Sequence, residues 1–199
     1  MNQEEKQKWI DAGGPELQHT FRGITPNSIV FDIGLFKGAW SSRIVEKYNP
    51  YVFGFEPVRA FYESASRVLV KCPKVQLFNY GLGSHSRSEF IYTNQDSTSF
   101  IKESGYCEMA YIRAIDEFIL GYNIEVVDLA SINIEGSEYE LLQAMLDKNL
   151  MSLFRKLLIQ FHNIGTCPEA QRKAIREDMA LTHSQVYSYD TVWDYWELL

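Results

Sequence analysis

At 199 residues, 46% hydrophobic and 23% charged, the chain suits one globular domain with core enough to fold without staples. Its formal net charge of −7 argues against a nucleic-acid surface and against capture by anionic membranes. Cys72, Cys107 and Cys167 form no C-x-x-C and read as reduced thiols of a cytoplasmic protein. The start has no basic-then-apolar leader, and no apolar run reaches the roughly 18 residues of a membrane span.

Residues 1–27 read as an N-terminal lead, broken at Gly13-Gly14-Pro15 and closed at Thr25-Pro26-Asn27. Residues 28–199 read as one domain. A buried strand is predicted over 28–33, then an amphipathic helix over 38–48 with Trp40, Ile44, Val45 and Tyr48 on one face. A second strand covers 51–55. Pro57 opens a second helix, whose apolar face carries Phe61, Ala65, Val68 and Leu69. A third strand covers 75–78.

This alternation predicts an α/β fold, a doubly wound and mostly parallel sheet. Residues 88–93 and 106–115 depart from it as an inserted β excursion around a polar loop, 94–99. The rhythm resumes with a strand over 125–134. Ser137 and Glu140 then make a Ser-x-x-Glu capping box before Leu141, Leu142, Met145 and Leu146. A strand at 157–161 and a helix from 168 to 180 follow. The aromatic tail, 183–198, suits two antiparallel strands.

Ligands of such sheets bind beyond the carboxyl ends of the strands, so those ends carry the functional reading. After the first strand stands Asp32-Ile33-Gly34-Leu35-Phe36-Lys37-Gly38. A dinucleotide site would want G-x-G-x-x-G for its pyrophosphate. A carboxylate at the turn suits an ammonium instead, and S-adenosylmethionine has an ammonium, a cationic sulfonium and no phosphate. Glu56, in Gly54-Phe55-Glu56-Pro57, ends the second strand, where an acidic side chain can bind ribose hydroxyls. Gly81-Leu82-Gly83 after the third strand would face adenine.

The stretch Ile132-Asn133-Ile134-Glu135-Gly136-Ser137-Glu138 ends the fourth parallel strand, beside the expected methyl group. Asn133 can orient an acceptor hydroxyl and Glu135 can take its proton. His162, closing Gln160-Phe161-His162, is placed for a general base. Tyr187, Tyr189, Trp193, Tyr195 and Trp196 either stack on a sugar face or pack in the core.

These clusters, in this order, resemble the FkbM-type methyltransferase family over roughly residues 28–199. The matching stretches are Val30-Phe31-Asp32-Ile33-Gly34 with Lys37, Gly38 and Ser41, then Gly54-Phe55-Glu56-Pro57, Gly81-Leu82-Gly83 and Ile132 to Tyr139. The resemblance implies a class I, Rossmann-like methyltransferase fold and S-adenosylmethionine as cofactor. It implies O-methylation of a hydroxyl on a sugar, glycan precursor or other small natural product.

Asp32, Gly34, Lys37, Gly38, Ser41, Glu56, Pro57, Gly81 and Leu82 become the cofactor residues, and His162, Glu135 and Asn133 the catalytic ones. Many relatives carry lysine where this chain has Ser131, and the Asp96-Ser97-Thr98-Ser99 loop resembles one that closes over the site in relatives. A small-molecule or glycan acceptor and a possible homodimer are the expected partners, with neither nucleic acid nor a membrane span. No metal site is assigned. A divalent cation held by Asn133, Glu135 and His162 is the less favoured way to activate the hydroxyl. The alternatives are a non-catalytic S-adenosylmethionine- or nucleoside-binding module and a nicotinamide-dependent oxidoreductase.

Overall fold

The computed structural model describes residues 3–94, 97–99, 106–164 and 167–199. Short helices α1 (Gln3–Asp11) and α2 (Gly14–Leu17) precede the sheet. Strands β1 (Ile29–Ile33), β2 (Tyr51–Phe55) and β3 (Val75–Phe78) alternate with helices α3 (Ala39–Tyr48) and α4 (Arg59–Leu69). A second sheet is built from β4 (Gly81–Gly83), β5 (Arg87–Asn94), β6 (Ser97–Ser99) and β7 (Tyr106–Ala114). Helix α5 (Ile115–Gly121) returns the chain to β8 (Leu129–Ile132), followed by α6 (Glu138–Asp147), a 3-10 turn (Met151–Leu153) and β9 (Lys156–Ile159). Helix α7 (Pro168–Met179) and strands β10 (His183–Tyr189) and β11 (Trp193–Leu198) complete the fold.

The main sheet has seven strands in the order β10-β11-β9-β8-β1-β2-β3, and only β11 runs against its neighbours. The chain steps outward from β1 to β3, then returns to the other side of β1 at β8. The crevice between the ends of β1 and β8 is therefore the topological switch point, where ligands of such sheets bind.

Side chains alternate across β1 because a strand repeats every two residues. Phe31 and Ile33 pack with Phe118 of α5, Leu141 of α6 and Ile175 of α7. Val30 faces Ile44 of α3 on the other side, and Asp32 shares that face through its bond to Ser41 of α3. The N-terminal residues lie on the α3 side. Trp40 Nε1 donates to the Gln18 carbonyl at 2.8 Å, and the Phe21 ring meets Tyr195 at 5.4 Å.

Several local expectations are corrected. Helix α4 begins at Arg59 with Val58 as its N-cap, so Pro57 stands before the helix. Val68 faces solvent, because the apolar face of α4 is Phe61, Ala65 and Leu69. Ser97–Ser99 is a strand paired with β5 rather than loop, while Asp96 lies outside the described residues. Helix α5 occupies part of the stretch between β7 and β8, and β8 itself is only Leu129–Ile132. The aromatic tail packs: Trp193, Tyr195 and Trp196 are buried, and Tyr187 and Tyr189 lie against the core. Among the described residues no helix is long and apolar enough to cross a membrane.

Candidate active site

A cavity of about 290 Å³ opens at the switch point, close to the lower end of small-molecule sites. Its floor comes from Ile33, Gly34 and Phe36 after β1, and from Glu56 and Pro57 after β2. Gly81, Leu82 and Gly83 of β4 with Ile112 of β7 form one side. Asn133, Ile134, Glu135, Ser137 and Glu140 form the other, and Arg87 completes the wall.

Gly34 adopts φ +91°, and a Cβ there would overlap the main chain of Asn133. The glycine thus lets the ends of β1 and β8 close on each other. Its neighbour Phe36 also has positive φ, and its ring meets Phe61 edge-on at 4.4 Å. That turn sends Lys37 over the two rings, 4.6 Å from the Phe36 centroid, and Lys37 is not on the cavity wall. Gly38 brings α3 against Ala65 of α4.

Asp32 and Ser41 also stand off the wall. Ser41 Oγ donates to Asp32 Oδ2 at 2.5 Å, and Asp32 is only 3% exposed. Burial pushes its carboxyl up to about 7, against the bonds from Ser41. Ser131 is buried level with Asp32 across the β1–β8 register. Burial likewise pushes Glu56 up to about 7. Its two oxygens accept from the N–H groups of Phe36 and Val58, both at 2.8 Å. Each carboxylate oxygen retains a further acceptor site for a ligand.

The opposite edge is built on one fully buried carboxylate. Glu138 Oε1 accepts from His162 N at 2.6 Å and meets His162 Nδ1 at 3.2 Å; its Oε2 accepts from Gly136 N at 2.8 Å. His162 Nε2 stands 3.4 Å from Glu135 Oε2. Glu135 is on the cavity wall and His162 is one residue removed from it. Burial disfavours a charged His162, yet Glu138 and Glu135 hold its pKa above the ordinary value. Burial pushes Glu135 up, against the pull of His162. Asn133, on the cavity wall, has its Oδ1 buried without a hydrogen-bond partner among the described residues, which leaves an acceptor open to a ligand.

The expected capping box does not form: the Ser137 side chain caps nothing, and Glu140 turns to the small sheet. Arg87 forks onto Glu140 at 2.9 and 3.1 Å, and Ser84 Oγ also donates to Glu140. Arg87, Ile112, Ser137 and Glu140 are wall residues that sequence reading does not single out as site residues, whereas Gly83 stands on the wall with the glycine motif that it does. Among the described residues Arg87 is the only cation on the wall, and it is held by Glu140 and by Glu89 at 3.1 Å. Among the described residues no group of three or more His, Cys, Asp or Glu side chains is arranged to hold a metal ion.

The model of the methyltransferase FkbM domain matches residues 32–166, from Asp32 through the whole constellation. The chain belongs to this family. No curated protein matches the FkbM chain in sequence. Solved structures share the fold at low identity. A putative methyltransferase from Streptococcus mutans, in complex with SAH, aligns with TM-score 0.53 at 12% identity, over 96% of this chain and 97% of that one. The precorrin-6y C5,15-methyltransferase of Geobacter metallireducens aligns with TM-score 0.52 at 12% identity, over 93% and 87%. Aeropyrum pernix fibrillarin, with natively bound S-adenosyl-L-methionine, aligns with TM-score 0.50 at 8% identity, over 94% and 74%. The FkbM domain here is thus a Rossmann-like, class I methyltransferase fold with the small β4–β7 sheet inserted between β3 and α5.

Proposed function

We propose that this FkbM-family chain is a cytoplasmic, S-adenosylmethionine-dependent O-methyltransferase acting on a hydroxyl of a sugar, glycan precursor or other small natural product. One observation carries the reading. One cavity joins the Glu56 carboxylate to the Asn133–Glu135 edge, and Arg87, the only cation among its described wall residues, is already bound by two carboxylates. Such a wall favours a cationic ligand without phosphate over a dinucleotide. Glu56 would take the ribose hydroxyls, Gly81 and Leu82 the adenine edge, and the orphaned Asn133 Oδ1 a donor of the ligand. When bound, S-adenosylmethionine supplies a methyl group activated by a sulfonium.

The chain's own residues then orient the acceptor and receive its proton. A sugar hydroxyl is a poor nucleophile at neutral pH, so a positioned base contributes roughly 10²–10⁴ in rate. On the Asn133 side of the cavity Glu135 is the wall carboxylate that Arg87 does not hold, and His162 backs it. Alignment of the two reactants supplies much of the remaining acceleration.

The test is calorimetric titration with S-adenosylmethionine and S-adenosylhomocysteine, beside NADH. Micromolar binding of S-adenosylmethionine and its demethylated product that is lost in Glu56→Ala supports the reading. Binding of NADH alone, or of none of these ligands, refutes it. A screen of hydroxylated acceptors with methyl-labelled cofactor then separates an enzyme from a binding module.

A further inference from the structure

The geometry points to Glu138 as the positioning residue of the acceptor edge: it fixes His162 between itself and Glu135, making a Glu138–His162–Glu135 proton relay that ends on the cavity wall. The inference rests on the methyl-transfer reading above, and it assigns a role to a residue that never touches the cavity.

Glu138 opens α6, yet its carboxylate does not behave as a helix-start carboxylate bonded to its own first turn. It reaches His162, 24 residues away and just past the end of β9, and also holds the turn that carries Glu135. Both Glu138 oxygens accept backbone N–H groups, so the side chain faces the ring as an acceptor, and the ring nitrogen facing it, Nδ1, carries the hydrogen. The neutral imidazole then presents its lone pair at Nε2, toward Glu135. Glu135 is held for the same exchange by its own backbone, at φ +53°. Tyr139 completes the setting: its hydroxyl donates to the His162 carbonyl at 2.8 Å, and Arg172 and Arg176 of α7 lie near it.

Charge balance follows directly. The proton released by the acceptor hydroxyl passes to Glu135 Oε2, and His162 Nε2 is its next station. The relay gains one proton, and with it one unit of positive charge, while the acceptor oxygen exchanges its hydrogen for the methyl group. Glu138 gains nothing; it keeps the ring in the tautomer that can accept.

Nuclear magnetic resonance of histidine-labelled full-length protein tests this without any acceptor. His162 is assigned by its loss in His162→Gln. In the wild type its neutral form should be the Nδ1–H tautomer, titrating above the ordinary histidine value. In Glu138→Gln and in Glu135→Gln that titration should fall by about one pH unit, with Glu138→Asp restoring part of the difference. An Nε2–H tautomer in the wild type overturns the proposal. So does an unmoved titration in Glu135→Gln, a wall substitution that stays informative even where Glu138→Gln fails to fold. Calorimetry with S-adenosylmethionine on the same samples tests the methyl-transfer reading separately, and Glu138→Gln should bind within about threefold of wild type.

Discussion

Gly34 packs on the main chain of Asn133, so the ends of β1 and β8 touch where the cavity floor must form. Gly34→Ala adds a steric overlap to a left-handed backbone. Gly23 has φ +77° with nothing among the described residues within 4 Å of where a Cβ would stand, so Gly23→Ala isolates the backbone cost alone. That cost is on the order of 1 kcal/mol. Urea unfolding should show Gly34→Ala losing at least about 2 kcal/mol more than Gly23→Ala. Equal losses would mean that the two strand ends part freely.

Asp32 and Glu56 bear on pH. Both carboxyls stand near 7 in the folded protein, above their ordinary values of 3.8 and 4.5. Between those limits the folded state holds protons that the unfolded chain has lost, so stability falls as pH rises from about 4 to 7. This is the reverse of an ion-paired carboxylate. Denaturation midpoints should drop across that window, and Asp32→Asn with Glu56→Gln should flatten the drop. A flat wild-type profile would refute the burial argument.

The same Glu56 makes cofactor binding pH-dependent. Ribose hydroxyls and a cationic ligand favour its charged form, so binding takes place with proton loss. Affinity for S-adenosylmethionine should rise between pH 6 and 8, by up to about tenfold per pH unit below 7. Calorimetry in buffers of different ionisation enthalpy should register the released proton. The rise should vanish in Glu56→Gln.

Arg87 and Glu140 tie the small sheet to α6 across the cavity mouth. Both side chains are partly exposed, at 20% and 41%, so the pair should contribute only about 0.5–1 kcal/mol in a double-mutant cycle of Arg87→Ala and Glu140→Ala. Its larger effect should be on ligand binding, since Arg87 and Glu140 both line the wall. Calorimetry should give each single variant a several-fold weaker S-adenosylmethionine affinity.

Phe118 of α5 meets Phe31, Phe55 and Phe78 edge-on, at 5.6, 4.8 and 5.3 Å. Truncation removes both the buried area and these ring contacts. Phe118→Ala should cost roughly 3–5 kcal/mol in urea unfolding. A loss under 1 kcal/mol would show that the core collapses readily into the gap.

Much of this was legible in the residues. The apolar runs that became β1, β2, β3 and β9, and the polar clusters at their ends, follow from periodicity and turn chemistry. Elements that depend on distant partners were not legible. Gly81–Gly83 looks like a turn until β7 lies alongside it. Glu140 fits a local capping box, but Arg87, 53 residues away, is the partner it takes. Asp32 is recognisable as a motif residue, whereas the strand alternation that turns it toward Ser41 and off the cavity wall is a tertiary fact. Glu138 stood beside the residues of interest, and only the fold shows that its carboxylate reaches His162.

Two non-glycine residues on the cavity wall, Phe36 and Glu135, sit at φ +50° and +53°. At Phe36 the ring's packing on Phe61 offsets the backbone cost, but at Glu135 a glycine would relieve the backbone, so the most stable version of this sequence differs from the working one there. Selection for thermal endurance alone should therefore erase Glu135 readily, and a hardened descendant could keep the fold while losing its chemistry. The rim of this cavity is where endurance and activity are in direct competition.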